Sequence, residues 1–71
     1  MTRPTVVPEL SRRQREVLVL LSEGVGAQQI AVRLGLSEAT VRNHIRGILR
    51  KLDCHSQLQA VARARELGLL G

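Results

Sequence analysis

The 71-residue sequence holds no Phe, Trp or Tyr, one cysteine, two prolines, and six acidic residues against eleven Lys and Arg. Without aromatic rings there is no platform on which unstacked bases could lie, which counts against an RNA-recognition or OB-type reader. With Cys54 as the sole cysteine no intrachain disulfide can form, and a cytoplasmic location is the expectation. No apolar run approaches the roughly 18 residues that span a bilayer, and no apolar signal core opens the chain, so no membrane partner is expected. Both prolines fall in MTRPTVVPE, which has no helical period. That stretch reads as a flexible tether over residues 1–9, and residues 10–71 as one small domain without room for a second core or a deep substrate cleft.

What is present is aliphatic and basic. The formal net charge is +5, and ten of the eleven cations are Arg, whose planar fork grips a phosphate or a guanine edge with two parallel donors. An anionic polymer or membrane surface is the kind of partner this composition favours, and of the two the polymer is the expectation. Leu, Val, Ile and Ala must make the core, and their periods predict four helices and no strand. Ser11 and Gln14 have capping-box spacing before Val17, Leu18, Leu20 and Leu21, and that helix ends at Gly24. A short second helix carries Ile30, Ala31 and Leu34 between Gly26 and Gly35. A third runs from Ser37 to about Leu52, with Val41, Ile45, Ile48, Leu49 and Leu52 as its buried stripe. Ser56 and Gln59 repeat the capping-box spacing ahead of a fourth, which reaches about Leu67 before Gly68.

At about 100° per residue, Ala39, Arg42, Asn43, Arg46 and Arg50 lie opposite the stripe of the third helix. Residues 42–51 contain four cations and no acid, whereas a merely solvated helix face mixes signs at i,i+4 spacing. Upstream, small Ala31 and the turn residue Gly35 give the spacing by which two helices cross closely around a tight link. The expectation is an all-α four-helix bundle containing a helix-turn-helix, its third helix serving as the recognition helix in the major groove of double-stranded DNA.

Other residues invite chemistry and do not support it. His44, Cys54 and His55 lack a fourth ligand, and adjacent Cys54 and His55 cannot easily point at one ion, so neither a metal site nor a cofactor is expected. Ser37 and Ser56 open helices as caps, with no base and orienting acid gathered around them. No enzymatic activity is expected.

Three segments in order, LSRRQREVLVLLSEG, IAVRLGLSEATVRNHIRGILRKL and SQLQAVARARELGLL, make residues 10–70 resemble the LuxR/FixJ-type DNA-binding domain of bacterial transcription regulators, the NarL class of response regulators included. The resemblance implies a four-helix effector domain that reads DNA with its third helix and commonly dimerises through its fourth. It implies base reading by Arg42, Asn43 and Arg46, where the outer-face geometry also places them, and backbone contact by Thr40, Lys51 and Ser56. Arg50, near the end of the same face, is expected to meet phosphate. Gly26-Ala27-Gln28 departs from the family pattern, and so does Asp53, which stands where a glycine is usual and sets a negative charge at the helix's unfavourable end. A small stability cost is expected there.

The expected partners are duplex DNA, a second copy of the chain and RNA polymerase. In the fourth helix Leu58, Val61 and Ala62 read as the inward side. Ala60, Ala64 and Leu67 read as a second strip, expected to be the dimer contact. Two rivals compete: a promoter-reading sigma-factor-like module, and a helix-turn-helix reused as a protein-interaction adaptor. The capped fourth helix argues against the first, and the retained Arg42, Arg46 and Arg50 against the second.

Overall fold

A computed structural model describes residues 8–70. Its four helices are α1 (Arg12–Ser22), α2 (Ala27–Leu34), α3 (Glu38–Lys51) and α4 (Gln57–Glu66), with no strand among the described residues. The all-α class and the helix-turn-helix therefore stand. Most of the expected tether, residues 1–7, lies outside the described residues.

Side-chain caps start three of the helices. Ser11 Oγ accepts from Gln14 N at 3.1 Å while Gln14 Oε1 accepts from Ser11 N at 3.0 Å, the complete reciprocal box. Ser37 Oγ accepts from Thr40 N at 3.1 Å. Ser56 Oγ accepts from Gln59 N at 3.1 Å, but the Gln59 amide oxygen accepts from His55 N instead of Ser56 N, so the expected second box is displaced by one residue. Helix α2 starts at Gly26 without a side-chain cap.

All four helices end the same way. A residue with positive φ donates its N–H to the carbonyl three back, and the next residue donates to the carbonyl five back, satisfying the orphan carbonyls. Gly24, Gly35 and Gly68 take that position in three helices, and Asp53, at φ 54°, takes it after α3. At Gly35 (φ 67°) this turn folds α2 back toward α3, and Leu36 N reaches Ala31 O at 2.9 Å.

Helix α3 packs against each of the other three, and α1 also against α2 and α4. The core is Leu10 with Val17, Leu18 and Leu21 of α1, Ile30 and Ala31 of α2, Val41, Ile45 and Ile48 of α3, Leu52 after it, and Ala60 and Ala64 of α4. Each fully buried Leu or Ile among them stabilises the fold by about 1.5–3 kcal/mol relative to exposure.

The two sides of α4 are the reverse of the sequence expectation. Ala60 and Ala64 are 0% exposed while Leu58 is 80% exposed, with Val61 half-buried and Ala62 exposed. The sequence expectation puts Leu58, Val61 and Ala62 inward. Instead, two methyls one turn apart let the α4 backbone lie close to its neighbours, where a leucine would hold it away. Ala60 and Ala64 are therefore not available as a dimer contact, and Leu67 is half-buried against the same core.

Candidate nucleic-acid interface

Because the buried stripe of α3 faces inward, its opposite side is turned to solvent: Ala39, Arg42, Asn43, Arg46 and Arg50 are all exposed. The structure thus brings the three expected base readers together on one face with Arg50 below them. The three arginines are not all free cations. Arg42 Nη2 lies 2.9 Å from Glu38 Oε1, one turn earlier, so the positive run is opposed at its start by an acid just outside residues 42–51. That i,i+4 spacing is visible in the sequence and lies across the start of the acid-free run. Arg46 Nη1 donates to Asn43 Oδ1 at 3.2 Å, which links the other two expected readers. The acid in the first turn of α3, and Arg50 and Lys51 in its last, all complement the helix dipole.

The expected backbone contacts are more dispersed. Thr40 is half-buried at the start of α3, and its Oγ1 accepts from Ser37 Oγ at 2.8 Å, which leaves the Thr40 hydroxyl hydrogen for an outside acceptor. Ser56 is exposed at the start of α4, its Oγ engaged by Gln59 N.

Lys51 does something the sequence did not reveal. Its ammonium donates to Glu9 O at 2.9 Å and to Gln14 Oε1 at 2.9 Å, tying the end of α3 to the start of α1. Two of its three donors are committed inside the domain. The same Gln14 amide lies over Gly47, where a Cβ would stand 2.6 Å from Gln14 Nε2. The glycine leaves room for this crossing. No periodicity could have exposed it, because it joins polar groups far apart in the chain.

Cys54 is half-buried in the turn after α3, with Sγ 3.3 Å from Leu52 O. Among the described residues no group of three or more His, Cys, Asp and Glu side chains is placed to share a metal ion. No described helix is long and apolar enough to cross a membrane.

A second surface lies on the outer side of α4. Exposed Leu58, with Val61 and Arg65, borders a cavity of about 450 Å³ whose other wall includes Leu21 of α1.

A family model described as bacterial regulatory proteins, luxR family, matches residues 8–64. The chain is 41% identical over 63 residues to the spore germination protein GerE of Bacillus subtilis, covering 89% of this chain and 85% of that protein. It is 38% identical over 64 residues to a glycerol metabolism activator of Pseudomonas putida, covering 90% of this chain and 29% of the relative. It is 39% identical over 59 residues to the transcriptional regulatory protein DesR of Bacillus subtilis, covering 83% of this chain and 30% of the relative. GerE apart, the chain spans under a third of the length of these relatives. Among solved structures, GerE superposes with a TM-score of 0.82 at 37% identity, over 87% of this chain and 92% of GerE. The Vibrio cholera VqmA–ligand–DNA complex gives a TM-score of 0.83 at 32% identity, over 97% of this chain and 30% of VqmA. A helix-turn-helix with an outward basic face, matched in fold and sequence over most of its length, places the chain: it belongs to the luxR family of bacterial regulatory proteins, as a DNA-binding domain of transcription regulators.

Proposed function

We propose that the domain binds specific sequences of double-stranded DNA with α3 in the major groove and thereby directs transcription in the bacterial cytoplasm. One observation carries the reading: Arg42, Asn43, Arg46 and Arg50 share the exposed face of a helix whose other face is locked into the core. Arg42 and Arg46 reach guanine O6 and N7, and Asn43 addresses an adenine edge. Thr40, Arg50 and Ser56 meet phosphate. Lys51 does so with the donor its internal hydrogen bonds leave over.

Two copies meet on a two-part site through the exposed side of α4, centred on Leu58 and Val61, in place of the buried alanine strip. RNA polymerase is the partner through which a bound dimer acts. A salt titration on generic duplex DNA tests the reading against the adaptor alternative: phosphate contacts give a steep fall of affinity with salt, and an adaptor does not bind. The sigma-like alternative has less support, since α4 closes the core through Ala60 and Ala64.

A further inference from the structure

The acid that opposes the basic face is set within it. Glu38 opens α3, the end from which a recognition helix reaches base edges, and its side chain is 45% exposed. Among the described residues Glu38–Arg42 is the one ion pair on α3, while Arg46 and Arg50 have no carboxylate partner there. An acid in a helix's first turn stabilises the helix, and that alone would account for Glu38. It would not require Arg42, the reader one turn on, to be held at 2.9 Å.

From this geometry we infer that Glu38 is a specificity-determining residue, a positioning carboxylate that commits Arg42 to a base edge and turns phosphate away from it. The inference rests on the DNA-binding reading above. A free Arg grips any phosphate, so it adds affinity without discrimination. With Nη2 paired to Glu38, the Arg42 guanidinium has fewer orientations open to it, so less side-chain freedom is lost when its other donors meet guanine O6 and N7. Guanine brings no charge against the carboxylate, whereas a phosphate in the same place is repelled by it. Specificity is a difference between right and wrong partners, and Glu38 acts mainly on the wrong ones.

The experiment selects binding sites from a pool of randomised duplexes with the wild-type domain, Glu38→Gln and Glu38→Asp. Affinity is then measured for the selected site and for a scrambled duplex at two salt concentrations. Gln removes the charge and keeps the length. Asp keeps the charge at the helix start but is one methylene short of Arg42. Thermal melting of each variant confirms folding and reads the purely helical role. Glu38→Gln is expected to bind the scrambled duplex more tightly, to lose about tenfold in the ratio of selected to scrambled affinity, and to relax preference at one base pair. Glu38→Asp is expected to relax the same base pair without the general gain in affinity. An unchanged selected site and ratio in both variants, even with a lowered melting temperature, overturns the inference. If the wild-type domain enriches no duplex at all, the DNA-binding reading itself fails, an outcome distinct from the first.

Discussion

Lys51 Nζ donates to Gln14 Oε1 at 2.9 Å across 37 positions of sequence, and the same amide group occupies the space that a side chain at Gly47 would need. Gln14 also completes the cap of α1, so one side chain joins the start of the first helix to the end of the recognition helix. The groups are at the surface, and each hydrogen bond contributes about 0.5–1.5 kcal/mol.

Gly47 and Gln14 should therefore be coupled. Gly47→Ala gains about 1 kcal/mol of helix propensity but displaces the Gln14 amide, so alone it should change stability little. In a Gln14→Ala background the same substitution should stabilise by about 1 kcal/mol. Urea unfolding of the two single variants and the double variant measures the coupling. Strict additivity would mean that Gln14 does not occupy the space over Gly47 in solution.

At the end of α3, Asp53 takes the left-handed conformation that glycine fills in α1, α2 and α4, and its charge faces the negative end of the helix. Asp53→Gly should raise stability by about 1 kcal/mol, a gain of roughly 4–8 °C in melting temperature for a domain of this size. The small cost expected from sequence at this position would be refuted by a lower melting temperature.

The two sides of α4 give opposite results. Ala64→Glu places a charge in the closed core and should unfold the domain. Leu58→Glu should leave folding and half-site binding intact and remove cooperative binding to a two-part site. The readout is circular dichroism followed by mobility shift on one and two half-sites. Cooperativity that survives Leu58→Glu would place the dimer contact elsewhere.

Much of this was legible in the sequence because local rules agree with one another. Ser11, Ser37, Gly35 and the stripe Val41, Ile45, Ile48 and Leu52 each report helix limits or a buried face through neighbours a few residues away. The outward set of Arg42, Asn43, Arg46 and Arg50 followed by simple opposition. In helix α4 the period alone offers two apolar strips, and only the close approach of backbones decides that Ala60 and Ala64 face the core. The Lys51–Gln14–Gly47 crossing left no periodic trace. The Glu38–Arg42 pair obeys a local i,i+4 rule but spans the boundary of the acid-free run, so the run by itself does not show it.

The most direct test of the central claim is the affinity of Arg46→Ala for a set of single-base variants of a selected site at two salt concentrations. Arg46 is exposed and outside the core, so the variant should fold. If α3 reads bases from the major groove, the substitution should cost about 1–3 kcal/mol on the selected site and abolish preference at one base pair, leaving the other positions discriminated as before. An equal loss of affinity on every variant, with the salt slope reduced by about one, would make Arg46 a phosphate contact and contradict the account.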